Sequence, residues 1–368
     1  MRIKSLIVLS ALSLAILVVA CNEDEFIKGA SQTKLELNYN GPNGEVFSDV
    51  QQLGRVLFYD EALSANYSVS CGSCHKQSLA FADDQKFSPG MERLPAARNT
   101  PPIQNLGMFA RPLANGNFGS QKLFWDGRVE NLGSALTMPF FNHVEMGMDH
   151  TGELIERVQS RSYYANLFTK AFGDNTVNME RIATALSEFV FRLRADDTRF
   201  DQNSFTFNEH LSFNEAESRG LNLFFGKYNC GSCHALHSPI GYNPNQLDDG
   251  ELVNIGLDQN YSDQGRADVT LNHADRGKFK IPNLRNVTLT APYMHDGRFE
   301  TLEQVIDHYS TGVQNHPNLD ERLKGPNGSP MRLNITAQEK ADLIAFLKTL
   351  TSNDLLTNPL LSDPFTKN

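Results

Sequence analysis

In several short stretches of the chain apolar residues recur at intervals of three and four, and no segment sustains a period of two. That pattern predicts a mostly helical fold whose helices are joined by long loops rich in Gly, Pro and Asn. Leu53-Gly54-Arg55-Val56-Leu57-Phe58 and Gly220-Leu221-Asn222-Leu223-Phe224-Phe225 each read as a short amphipathic helix, and their likeness suggests two halves of an internal repeat. Met179 to Leu193 gathers Ile182, Leu186, Phe189, Val190 and Leu193 on one helical face. Thr336 and Glu339 form a capping box that opens a helix bearing Leu343, Phe346, Leu347 and Leu350. Asp196 to His210, polar and turn-rich, reads as the boundary between an N-terminal unit, 46–200, and a C-terminal unit, 201–368.

The first residues obey a different pattern. Two cationic side chains in Met1–Lys4 precede an uncharged run from Leu6 to Ala20, shorter than the roughly 20 residues needed to cross a bilayer. These features describe an export signal over 1–20. Val18-Val19-Ala20-Cys21 resembles a bacterial lipobox, which would give Cys21 a lipid and tether the protein to the membrane on the periplasmic side of the cell envelope. The polar segment 21–45 is expected to be a flexible tether.

Composition narrows the chemistry. With 40% hydrophobic and 21% charged residues, the 368-residue chain has the make-up of a folded globular protein with room for two domains. A net charge of -10 without a compensating basic block argues against a nucleic-acid partner. Of the five cysteines, four occur in two identical pentapeptides, Cys71-Gly72-Ser73-Cys74-His75 and Cys230-Gly231-Ser232-Cys233-His234. C-x-x-C-H attaches c-type heme: the two thiols add to the vinyl groups, and the adjacent His ligates iron. The halves of one shared zinc site would normally lie about 15 to 20 residues apart, and a thioredoxin-like pair has no use for the following His. Two covalent hemes, one per unit, on His75 and His234, are therefore expected. The fold class expected is mostly α, with two c-type cytochrome domains packed together.

Further motifs bring in a family. Phe124-Trp125-Asp126-Gly127-Arg128, Val144-Glu145-Met146, Pro282-Asn283-Leu284-Arg285-Asn286-Val287, the block Leu289 to Gly297 containing Pro292-Tyr293-Met294-His295-Asp296-Gly297, and Thr301-Leu302-Glu303 closely resemble the bacterial diheme cytochrome c peroxidases, in order and spacing, from about Gly54 to Thr351. The resemblance implies that the heme on His75 reduces hydrogen peroxide and the heme on His234 accepts electrons from a small cytochrome c or cupredoxin. It further implies that Trp125 stands between the hemes and that Glu145 is the distal acid/base, beside Pro139. A desolvated carboxylate suits that role, because splitting peroxide requires a proton moved from the inner oxygen to the outer one. Asn99, Thr290 and Pro292 match positions whose oxygens hold a calcium ion, a ligand type that suits that cation. Association into a homodimer is left open.

Three positions depart from the best-known peroxidases. Met91 stands where those enzymes carry a His that blocks the peroxidatic iron at rest, so an open first heme is expected. Tyr309, fourteen residues after His295, replaces the usual Met ligand of the second heme and resembles instead the diheme enzyme that matures the tryptophan tryptophylquinone cofactor of methylamine dehydrogenase. Met294 is its rival as distal ligand. Ala135 replaces a distal glutamine. These departures keep a second reading in play, an oxidase that uses peroxide to oxidise protein side chains.

Overall fold

The computed structural model describes residues 34–106, 122–206, 213–234, 236 and 251–366. The export signal, Cys21 and the start of the expected tether lie outside these residues. The described chain is mostly helical: α1 (Asp49–Tyr59), α2 (Leu132–Thr137), α3 (Thr151–Gln159), α4 (Ser162–Phe172), α5 (Met179–Val190), α6 (Arg199–Thr206), α7 (Glu215–Asn222), α8 (Leu302–Asp307) and α9 (Ala337–Lys348). None of the described helices is long and apolar enough to cross a membrane. Among the described residues, strands are confined to two antiparallel pairs of two residues each, β1 (Lys34–Leu35) with β4 (Phe365–Thr366) and β2 (Leu252–Val253) with β3 (Phe279–Lys280).

Helix α1 starts at a capping box, in which Ser48 Oγ accepts from Gln51 N and Gln51 Oε1 from Ser48 N. It buries Leu53, Val56, Leu57 and Phe58 against α5, whose Ile182, Leu186, Phe189 and Val190 are equally buried. Gly54 allows the contact, since a Cβ there would collide with the Ala185 carbonyl oxygen and crowd Phe189. The second core repeats the arrangement. Helix α7 lies on α9, Gly220 meets the Asp342 carbonyl and Phe346, and Phe224, Phe346, Leu347 and Leu350 fill the interior. Phe58 meets Phe189 at 5.1 Å between ring centres, tilted 53°, while Phe224 meets Phe346 at 5.2 Å and 52°. Thr336 and Glu339 cap α9 as their spacing predicts.

Three departures from the sequence expectations stand out. Gly220 to Phe225 is not one α-helix: after Asn222 the chain widens into a π-turn, Leu223–Lys227, that ends three residues before Cys230. Residues 34–45 belong to the fold rather than to a tether, because Leu35 and Leu37 find apolar partners on the first core and β1 pairs with β4. The segment after Ser352 crosses back from the second core to the first. Leu355, Leu360 and Leu361 are buried there, Arg55 Nε donates to the Ser362 carbonyl at 2.7 Å, and Tyr59 OH donates to the Leu361 carbonyl at 2.7 Å. At the expected boundary the chain forms α6, pinned by a buried ion pair between Asp201 and Arg285.

Candidate functional site

Cys71–Cys74 forms a single helical turn after Ser70, and its closing hydrogen bond runs from His75 N to the Cys71 carbonyl at 2.9 Å. Ala80 and Phe81 then take left-handed conformations, φ 55° and 60°, which turn the Phe81 carbonyl back to 2.9 Å from His75 Nδ1. With Nδ1 donating there, Nε2 is left as the metal-binding nitrogen. Burial pushes the imidazole pKa down, favouring the neutral ring that iron requires. Cys71, Cys74 and His75 line a cavity of about 870 Å³. Burial chiefly raises the Cys71 and Cys74 thiol pKa values, to about 12 and about 11.

The second loop is the counterpart of the first. Cys230–Ser232 makes a tight turn, His234 N bonds the Cys230 carbonyl at 2.9 Å, and His234 Nδ1 lies 3.1 Å from the Pro282 carbonyl. Arg322 fastens this loop, donating to the Ser232 carbonyl at 2.9 Å while paired with Glu251 and Asp320. Cys71 packs on the first core and Cys230 on the second, and among the described residues no three His, Cys, Asp or Glu side chains converge on a metal position. The thiol pairs are thus not assembled into one zinc site. Each loop pairs two thiols with an oriented imidazole, a donor set that fits covalent heme.

Trp125, Glu145, Pro139, Ala135 and Asn99 all line the first cavity. Glu145 sits in a turn organised by Asn142, whose carbonyl accepts from the N–H groups of Glu145, Met146 and Gly147 at 3.0, 3.1 and 2.9 Å, and whose Nδ2 donates to Glu145 Oε1 at 2.8 Å. Burial raises the carboxyl pKa, and the nearby Arg128 charge and the Asn142 bond partly oppose it. Arg128 is held by Asp126 at 2.9 Å and stacks over Phe124, 3.9 Å from the ring centre. Ala135, on α2 between Leu132 and Leu136, leaves this wall apolar. Met91 does not line the cavity: its N–H bonds the Val144 carbonyl at 2.9 Å, and its thioether lies against Gly147.

Trp125 is half-buried against Leu257, Tyr261 and Phe279, and its Nε1 donates to the Asn99 carbonyl at 2.8 Å. Asn99 N in turn donates to the His295 carbonyl at 2.8 Å, tying the Trp125 motif to the segment that carries Thr290 and Pro292. The Asn99 amide donates to the Gln85 and Lys86 carbonyls, at 3.2 and 3.4 Å. Tyr309 lies in a π-turn, His308–Gly312, an uncommon geometry that often marks functional positions. Burial first, then the neighbouring Cys233 and Cys230, push its hydroxyl pKa up, so a phenolate there demands a cation beside it. Met294, with a left-handed φ of 76°, packs instead with the Leu257, Tyr261 and Phe279 cluster.

The reading of single residues missed the Phe81 and Pro282 carbonyls that aim the two histidines, and it assigned no role to Asn142 or Arg128. Carbonyl partners leave no side-chain signature. Asn142 was open to discovery in its spacing, an amide three residues before Glu145.

A helical chain that presents two such loops, each on its own core, is a covalent diheme c-type protein. This chain belongs to the di-haem cytochrome c peroxidase family, which it matches over residues 48–210. It is 33% identical over 304 residues to the methylamine utilization protein MauG of Methylorubrum extorquens, covering 81% of this chain and 77% of that one. It is 32% identical over 312 residues to cytochrome c551 peroxidase of Nitrosomonas europaea, covering 83% and 81%. Among solved structures, a MauG-like protein associated with microbial copper homeostasis superposes with a TM-score of 0.71 at 33% identity, covering 86% of this chain and 93% of that one. The diheme peroxidase BthA of Burkholderia thailandensis shares the fold, with a TM-score of 0.67 at 22% identity and coverage of 87% and 90%.

Proposed function

We propose that the protein is a diheme cytochrome c peroxidase that reduces hydrogen peroxide to two waters with two electrons and two protons, the electrons coming from a small cytochrome c or cupredoxin. Cys71, Cys74 and His75 would hold one heme in the N-terminal unit, and Cys230, Cys233 and His234 the other in the C-terminal unit. Bound there, the hemes supply the redox chemistry that cleaves the O–O bond and stores the donor's electrons. The protein's own share is proton handling and positioning. Glu145, held by Asn142, takes a proton from the inner peroxide oxygen and delivers it to the outer one. Trp125, fixed through its indole N–H, lies on the path for electrons between the two units. Asn99, Thr290 and Pro292 offer amide and carbonyl oxygens for a calcium ion that would brace this junction. The leader and Cys21 support an exported, membrane-tethered enzyme on the periplasmic side.

The observation that carries this reading is the turn holding Glu145 in the cavity wall while Met91 is turned away onto Gly147. It is tested by mixing fully ferric holoprotein with peroxide and ferrous cytochrome c. The expected result is turnover without prior reduction. A requirement for half-reduction would mean that a ligand closes the first heme at rest, and failure in both states would remove the peroxidase reading.

Tyr309 favours a second reading, in which the same centres pass oxidising equivalents to a protein side chain. A phenolate ligand would stabilise ferric iron and lower the potential of the second heme, weakening it as an electron acceptor. Replacing Tyr309→Phe should turn that heme high-spin, read from its absorption spectrum. An unchanged spectrum would return the ligand role to Met294.

A further inference from the structure

The cavity that contains Glu145 has a smaller neighbour, a chamber of about 290 Å³. Phe124, Arg128, Pro139, Asn142 and Glu145 line both, so these five side chains form the partition between the two. The smaller chamber is otherwise walled by Met138 and Phe141, and Met138 is 42% exposed at the surface. It therefore lies between the surface at Met138 and the wall that holds the carboxyl.

Resting on the reading of Glu145 as the acid/base, we propose that this chamber is the access port through which hydrogen peroxide reaches the first heme, with Arg128 lining its inner wall. Peroxide is small, uncharged and hydrogen-bonds through both oxygens, so its path needs little width but some polar footing. Arg128 and Asn142 supply that footing on the partition, and Phe124 and Pro139 complete it with apolar surface. The remaining wall on this side is formed by Leu132, Ala135, Leu136 and the buried Met146, together with the exposed His143. The rival way in, where Ser262, Asp263 and Asp268 border the large cavity, opens near Arg98, which is bound to Asp263 at 2.7 Å and to Asp126. That edge flanks Trp125 rather than Glu145.

A port governs rates and leaves equilibria alone. Met138→Trp in the ferric holoprotein should slow cyanide association and dissociation together, by about tenfold each, with an unchanged dissociation constant and unchanged heme bands. Association of peroxide, followed by stopped-flow, should slow in parallel. Met138→Ala should speed both cyanide rates, and it decides the matter even if the tryptophan variant fails to fold. Cyanide kinetics indifferent to residue 138, a change in only one of the two rates and hence in the dissociation constant, or a wild-type protein that binds no cyanide would each overturn the port. The two readings fail separately: peroxide inert toward a protein whose cyanide kinetics follow residue 138 removes the peroxidase and keeps the port. Normal peroxide turnover with cyanide kinetics insensitive to that residue removes only the port.

Discussion

Helices α1 and α7 lead toward their CGSCH loops in the same way, each crossing a partner helix at a glycine, and an aromatic ring, from α1 itself or from the π-turn that follows α7, lies against each loop. Gly72 packs on Tyr59 and Gly231 on Phe225, the residues five positions after Gly54 and Gly220. Beyond that shared frame the halves differ. In the first, Tyr59 is followed by eleven residues before Cys71, and the loop opens onto a large cavity whose wall contains Glu145. In the second, a π-turn runs almost directly into Cys230, Phe225 is 43% exposed, and a second π-turn sets Tyr309 close to the thiols. What the halves share is what holding a heme requires. What separates them is the surroundings, a cavity wall bearing a carboxyl beside the first loop and a buried phenol near the thiols of the second.

The comparison can be broken most forcefully at Glu145. Glu145→Gln should lower peroxide turnover by roughly 10²- to 10⁴-fold, the range of a lost general acid/base, while the absorption of the second heme stays the same. Equal loss of both signals would mean that the halves are not chemically distinct. Next come the glycines. Gly54→Ala and Gly220→Ala each force a methyl group onto a backbone carbonyl, and thermal unfolding should show a loss of about 2–3 kcal/mol for each. A loss at one position alone would show that the structural repeat is not an energetic one. Tyr59→Phe should cost about 1 kcal/mol, because the buried Leu361 carbonyl loses its donor, whereas Phe225→Tyr at a partly exposed position should change stability by less than about 0.5 kcal/mol.

The smallest effect is a slope. Glu145 has a folded-state pKa raised above its ordinary value of 4.5, chiefly by burial. The folded protein therefore holds this proton more tightly than the unfolded chain does, and stability falls as pH rises from about 4.5 through the raised value. Glu145→Gln lacks that loss. It should be more stable than the parent at neutral pH, with the advantage fading as pH drops below the ordinary glutamate range, and a parallel pair of stability-against-pH curves would contradict the burial of the carboxyl.

Where sequence reasoning succeeded, the determinants were local. Ile182, Leu186, Phe189 and Val190 lie on one face because a helix repeats every 3.6 residues, and Thr336 caps α9 because Glu339 is three residues away. The heme loops were legible because their chemistry needs a fixed spacing. The π-turns were not, since Leu223–Lys227 and His308–Gly312 carry no unusual residues and their extra width is set by what packs around them. The placement of Met91 on Gly147 and the hold of Asn99 on Trp125 depend on partners 56 and 26 residues away. No periodicity reports contacts of that kind. The return of residues 353–366 to the first core was likewise invisible, being a matter of pairing across some 300 positions, as between Arg55 and Ser362.

That returning segment makes the first heme loop depend on the far end of the chain. Gln77, just past the first heme loop, gives its side-chain amide to the carbonyls of Leu355 and Asn358, at 3.1 and 2.9 Å, and Tyr59 beneath the loop is capped by Leu361. Ending the chain before Leu355 would therefore remove all three of these hydrogen bonds from the surroundings of the first loop, although both CGSCH motifs would still be present.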